Sequence, residues 1–164
     1  MNDKKIILAI IILTIAILGG GVYILSATNT PKIIALQNAK AYVENSTSLD
    51  FGTIPINKGN LTKSFIIKNT GIDTLKLYNI KTSCHCTTAQ VSINGSNSPS
   101  FGMDSLSSWV GEVRPGKEAK LNIIFDPAFH GDSGLGPINR FVSVETNDKS
   151  NAKLTFTITG NVIK

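Results

Sequence analysis

Cysteine, charge and aromatic side chains are all scarce in this sequence. Its 164 residues include two cysteines, Cys84 and Cys86. That is too few for a scaffold stapled by disulfides, so a hydrophobic core must hold the fold. Charged residues make up 16% of the chain, against about 25% in an average soluble domain. One Trp and three Tyr leave little for stacking on bases. The cations behind the net charge of +5, among them Lys58, Lys63, Lys76, Arg114, Lys120 and Arg140, are scattered along the chain. Nucleic-acid surfaces cluster their basic residues, so these read as a solvated face, with no nucleic-acid partner. Catalytic patterns are lacking too. Gly131-Asp132-Ser133-Gly134-Leu135-Gly136 has spaced glycines but no Lys-Ser/Thr pair and no following helix, as a phosphate loop requires. His130, Asp132 and Ser133 are sequence neighbours, whereas a triad is defined by geometry. Glu112 and Glu118 straddle a Pro-Gly turn. The expectation is a protein that is not an enzyme and has no identifiable small-molecule substrate.

What the sequence does have begins with an apolar run. Ile6 to Leu25 carries no charged side chain, and a helix of that length rises about 30 Å, the thickness of a bilayer's hydrocarbon core. Lys4 and Lys5 precede it, which favours a cytoplasmic N-terminus. Residues 1–27 are therefore expected to be an N-terminal transmembrane signal-anchor. The protein is accordingly expected in the cell membrane, single-pass, with its C-terminal domain extracytoplasmic. A cleaved signal peptide competes with this reading. Its best cleavage site, Leu25-Ser26-Ala27, would give a mature chain starting near Thr28, but Leu25 is a poor fit to the small-residue rule and the run is long for a signal core. Residues 28–40 read as a tether, broken from the helix at Thr30-Pro31, in which Ile33 to Leu36 form at most a short helical or packed turn.

From Ala41 to Lys164 the pattern is that of strands. Phe65 and Ile67 alternate before Asn69-Thr70-Gly71, as do Leu75, Leu77 and Asn79. Leu121, Ile123 and Phe125 alternate before Asp126-Pro127, and Val142 and Val144 before Thr146-Asn147-Asp148. Leu154, Phe156, Ile158, Gly160 and Val162 share one face, and Thr155, Thr157 and Thr159 the other. Period two with one apolar face marks half-buried strands. Seven or so short strands with frequent turns predict an all-β, immunoglobulin-like antiparallel β-sandwich over 41–164. Trp109 reads as a core anchor. The polar stretch Asn94–Ser108 reads as a long loop.

Five short motifs occur in order: Leu49-Asp50-Phe51-Gly52-Thr53-Ile54; Phe65 to Gly71, ending Asn-Thr-Gly; Ser83-Cys84-His85-Cys86-Thr87; Arg114-Pro115-Gly116 with Phe125-Asp126-Pro127; and Thr146-Asn147-Asp148 with Gly160-Asn161-Val162. Together they resemble domain-of-unknown-function family 1573, a group of bacterial extracytoplasmic Ig-like domains, over about Leu49 to Val162. His85 stands where that family often has Gly, and the loop 94–108 and the insert His130–Pro137 are longer than in its plainest members. The resemblance implies a fold and a location and supplies no activity.

The chemistry in the chain centres on Cys84 and Cys86. In a regular strand both would face one way and His85 the other. Their Cβ atoms would then lie roughly 6–7 Å apart, too far for a disulfide, which needs roughly 3.5–4.5 Å. A Cys84–Cys86 bond therefore requires the strand to bend or end there. His130 and Met103 lie in loops able to fold over one end of a sandwich. Cys84, Cys86, His130 and Met103 would form a thiolate-rich site for copper or zinc. His85 competes only if the backbone is irregular. Three readings of the cysteines stay open: small hydrophobes of the core, a disulfide, or metal ligands. The functional expectation is a membrane-anchored binding or structural module. It would engage a protein or cell-envelope partner through a sheet edge, with a soft-metal or thiol-redox protein as the alternative.

Overall fold

The computed structural model describes residues 3–26 and 33–164, and side-chain surroundings for 7–18 and 33–164. The helix α1 (Asp3–Ser26) is followed by ten strands: β1 Ala41–Val43, β2 Ser48–Pro55, β3 Leu61–Asn69, β4 Leu75–Thr82, β5 Thr87–Ile93, β6 Ser96–Asn97, β7 Gly111–Val113, β8 Glu118–Phe125, β9 Gly136–Thr146 and β10 Lys153–Ile163. They form two five-stranded sheets, ordered β1-β3-β8-β5-β6 and β2-β10-β9-β4-β7.

The apolar phase of each strand meets the facing sheet. From the first sheet come Phe65, Ile67, Val91, Leu121, Ile123 and Phe125; from the second come Leu77, Val142, Val144, Phe156 and Ile158, all buried. Phe65 and Phe156 bridge the sheets with ring centroids 5.0 Å apart. The expected β-sandwich is thus present, with one departure from the antiparallel pattern. β2 pairs with β10 in parallel, and the register shifts between Thr159 and Asn161. Gly160 sits at that shift because a Cβ there would stand 2.6 Å from Ile54 Cδ1 and 3.1 Å from the Gly52 carbonyl oxygen.

The phase of β4 also changes along its length. Leu75 and Leu77 are buried, Asn79 has φ +45°, and the buried positions resume at Ile80 and Thr82. Asn79 is therefore a bulge residue, its amide donating to Glu145 Oε1 at 2.6 Å, and does not continue the alternation expected through 75, 77 and 79. The loop expected over 94–108 holds β6. It also contains Phe101, which is buried and exchanges backbone hydrogen bonds of 2.8 Å with Ala89. Residues 33–36 form no helical turn. Leu36 bridges to Asp148 in parallel, its N–H donating to the Asn147 carbonyl at 2.8 Å.

The membrane-anchor expectation does not hold. Among the described residues no helix is long and apolar enough to cross a membrane. This corrects the signal-anchor, the single-pass membrane location and the membrane contact through the N-terminal helix. The extracytoplasmic placement deduced from that anchor goes with them. The proposed cleavage site at Leu25-Ser26-Ala27, the start near Thr28 and the break at Thr30-Pro31 all extend outside the described residues.

Candidate thiol and metal site

Two connections carry the chain from one sheet to the other side by side: β4 to β5, and β8 to β9. The first is the Ser83–Cys86 turn and the second runs from Asp126 to Leu135. They are tied together where the Asp126 N–H donates to the Cys86 carbonyl at 2.9 Å. The turn closes with the Thr87 N–H on the Cys84 carbonyl at 3.1 Å, and Thr82 Oγ1 donates to the same carbonyl at 3.1 Å. The strand thus ends at the cysteines, which brings their Cα atoms to 5.3 Å. Cys84 and Cys86 are joined as a disulfide, and no described cysteine is free.

Cys86 is 3% exposed and belongs to the core, whereas Cys84 is only partly buried against it. The Cys86 N–H reaches back to Cys84 Sγ at 3.3 Å. From the second connection, His130 places Nε2 3.3 Å from Cys84 Sγ. The ligand atoms of Cys84, Cys86 and His130 all lie within 4.8 Å of one another. The His130 carbonyl accepts from Ser133 Oγ at 2.7 Å, and Phe129 lies edge-on to its ring at 4.9 Å. The 3-10 turn Gly131–Gly134 that follows is steadied by an ion pair of 2.9 Å between Asp132 and Lys164.

The other residues singled out in the sequence are His85, Met103 and Trp109. His85 is exposed and turned to Asp104, Nε2 to Oδ2 3.3 Å. The backbone is irregular there, yet the imidazole serves the neighbouring loop rather than the sulfurs. Met103 is 42% exposed in that same loop, which is held to the end of β4 by the Thr82 N–H on the Gly102 carbonyl at 3.4 Å. Trp109 is partly buried against the core, its ring 5.6 Å from that of Phe101.

One contact was missed from the sequence. Arg140 Nε donates to Cys86 Sγ at 3.2 Å, and Thr87 Oγ1 lies 3.7 Å from the same sulfur. The signal was available: Arg140 shares its parity on β9 with Ile138, Val142 and Val144, all buried. Alternation alone sets its side chain on the inner face, at the strand end nearest the turn.

A family model described as HYDIN/CFA65/VesB-like, Ig-like domain, matches residues 41–161. The fold is similar to that of a protein of unknown function from Porphyromonas gingivalis W83. That structure is 22% identical with a TM-score of 0.58, over 80% of this chain and 50% of that one. The fold is also similar to the VesB protease of Vibrio cholerae, 11% identical with a TM-score of 0.50, over 74% of this chain and 31% of that one. PapD-like domain 7 of human CEP192 is 19% identical with a TM-score of 0.47, over 82% of this chain and 93% of that domain. The chain therefore spans about half the length of the P. gingivalis protein, and these likenesses are of fold alone. No curated protein matches it in sequence.

Proposed function

Since the chain belongs to the HYDIN/CFA65/VesB-like Ig-like domain family, a sandwich of the kind used as a general binding or structural module, we propose that its working end is the Cys84–Cys86 turn. When the two thiols are reduced, they and His130 hold one soft metal ion. The observation that carries this reading is the convergence of two sulfurs and one imidazole nitrogen within 4.8 Å. Two thiolates and one imidazole favour Cu(I), since zinc sites usually take four ligands. Met103, in the adjoining loop, is the candidate for a fourth, thioether donor. The same sulfurs bond either each other or the metal, so binding is gated by their oxidation. Within the family, the five ordered motifs support the closer likeness to domain-of-unknown-function family 1573.

Native mass spectrometry of the reduced full chain, titrated anaerobically with Cu(I), tests the reading. One copper per chain is expected in the wild type, none in Cys84→Ser or Cys86→Ser, and binding weakened by at least about tenfold in His130→Ala. A reduced wild type that takes up no copper overturns it.

A protein partner is a second reading, favoured by β2. This eight-residue strand has β10 as its one partner in the sheet order, whereas the other edge strands have two or three residues. An edge of that length presents backbone N–H and C=O groups for an added strand. Thr53→Lys, at an exposed position on β2, is expected to abolish co-purification of a partner that the wild type retains. Undiminished retention contradicts an edge-bound partner.

A further inference from the structure

The two sulfurs are chemically unequal, and their surroundings assign them different parts in thiol–disulfide exchange. Cys84 is partly exposed and Cys86 is 3% exposed within the core. An attacking thiolate must approach along the S–S axis on the side away from the leaving sulfur, so the accessible target is Cys84. The leaving sulfur is then Cys86, which takes on a negative charge in a place where burial makes an unpaired charge costly. Two neighbouring groups offset that cost: Arg140 Nε is 3.2 Å from Cys86 Sγ and Thr87 Oγ1 3.7 Å. Among the described residues Arg140 forms no ion pair with a carboxylate, so its charge is not spent elsewhere. Its other contact is Nη1 to the neighbouring Asn139 carbonyl at 3.1 Å.

We propose that Cys84–Cys86 is an exchange-active disulfide that takes electrons from a dithiol, with Cys84 the sulfur attacked and Arg140 the group that stabilises Cys86 as it leaves. In the first step a donor thiolate bonds to Cys84 Sγ while the bond to Cys86 Sγ breaks. The electron pair passes to Cys86 Sγ, facing the guanidinium. In the second step the donor's other thiolate attacks its own sulfur in the mixed disulfide and releases Cys84 as a thiolate. The donor dithiol ends as a disulfide, Cys84 and Cys86 end reduced, and the two protons lost by the donor thiols balance the two thiolates formed. The inference deepens the metal reading, because this step opens the pair for copper, yet it stands on a separate observation, the Arg140 contact.

The test is stopped-flow reduction of the oxidised full chain by dithiothreitol. Thioredoxin and glutathione form separate arms that distinguish a protein dithiol from a small thiol as the physiological donor. Arg140→Gln is expected to slow reduction by about tenfold or more, and Arg140→Lys to recover part of the loss, because faster departure follows a better-stabilised leaving sulfur. The pre-reduced Arg140→Gln chain keeps both thiols and His130 and is expected still to take up one Cu(I) per chain, whatever its affinity. In parallel, oxidised glutathione is expected to modify Cys86→Ser, through its remaining Cys84, at least about tenfold faster than it modifies Cys84→Ser. This second comparison decides the matter even if Arg140→Gln fails to fold. Equal or reversed rates for the two cysteine variants overturn the assignment, as does unchanged reduction in a folded Arg140→Gln. A wild type that binds Cu(I) but resists all three reductants sinks the exchange inference and leaves the metal reading standing. Normal exchange with no copper uptake does the reverse.

Discussion

Asp148 shows how much a single side chain decides in this molecule. It is fully buried and accepts from the Ala41 N–H at 2.9 Å, the Ser150 N–H at 2.8 Å and the Asn151 amide at 3.1 Å. Burial alone pushes its pKa up. The three hydrogen bonds, with the charge of Lys40, outweigh burial and hold the carboxyl below its ordinary value. A carboxyl with a lowered folded pKa stabilises the fold fully above its unfolded value of about 4, and that stabilisation is lost as pH falls through the folded value. Urea unfolding from pH 7 to pH 3 is therefore expected to show stability declining below about pH 4, with a smaller decline in Asp148→Asn. That variant is expected to cost about 1–3 kcal/mol at pH 7, because it replaces a charged acceptor and leaves backbone donors poorly paired. An Asn variant with wild-type stability and wild-type acid sensitivity contradicts this role.

Neighbouring motif residues work in the same way. Asn147 accepts from the Lys76 N–H at 2.7 Å and donates to the Thr74 carbonyl at 3.0 Å. Asn69 donates to the Val113 carbonyl at 2.8 Å and accepts from the Gly71 N–H at 3.0 Å. The Asn-Thr-Gly and Thr-Asn-Asp motifs that carry the family resemblance are thus structural pins between segments distant in sequence, not reactive groups.

At the scale of elements, close approach of backbones sets what the sequence can be. A Cβ at Gly71 would stand 2.0 Å from the Asn38 carbonyl oxygen and 2.7 Å from the Lys40 nitrogen. Both neighbours are backbone and cannot rotate away. The Ile72 N–H donates to that Asn38 carbonyl at 2.9 Å, and Ala39 beside it is fully buried. Gly71→Ala is expected to lose about 1–3 kcal/mol by pushing residues 38–40 off the β3–β4 turn. Hydrogen exchange should quicken first at Ile72 and Thr70, while amides of β8 keep their protection. Uniform quickening throughout the sandwich contradicts a local effect. In the centre of the sheets, Phe156→Ala removes the ring that packs on Phe65 and is expected to cost about 3–5 kcal/mol, measurable as a lowered urea midpoint with unchanged m-value.

Alternation made half of the ten strands legible. β3, β4, β8, β9 and β10 lie where apolar residues recur at every second position. β5 was overlooked because Thr87, Ala89, Val91 and Ile93 share its inward parity, and Thr and Ala at the start weaken the contrast with Thr88 and Gln90 outside. β1, β6 and β7 are too short for any period to show. The parallel pairing of β2 with β10 joins opposite ends of the domain, which no local pattern encodes.

For the whole molecule, two crossings between sheets come together at one end and deliver the Cys84–Cys86 turn and the His130 loop to the same place. The residue types of the candidate site could be read from the sequence, since sulfur and imidazole are scarce in the chain. Their convergence could not, because Cys84 and His130 are 46 positions apart and meet only when β5 and β9 take opposite sheets. Arg140 was hidden for a different reason: it reads as one more scattered cation until β9 is given its phase. The anchor expectation rested on the length of one uncharged run and on the lysines before it, whereas among the described residues no helix is long and apolar enough to cross a membrane.

The most direct measurement is X-ray absorption at the copper edge on the reduced full chain loaded with one equivalent of Cu(I). Two thiolate sulfurs and one imidazole nitrogen are expected, with a third, longer sulfur contact where the Met103 thioether joins them, the imidazole signal vanishing in His130→Ala while both thiolate sulfurs remain. Copper surrounded only by light-atom scatterers, or a spectrum unaltered by Cys84→Ser, contradicts the account.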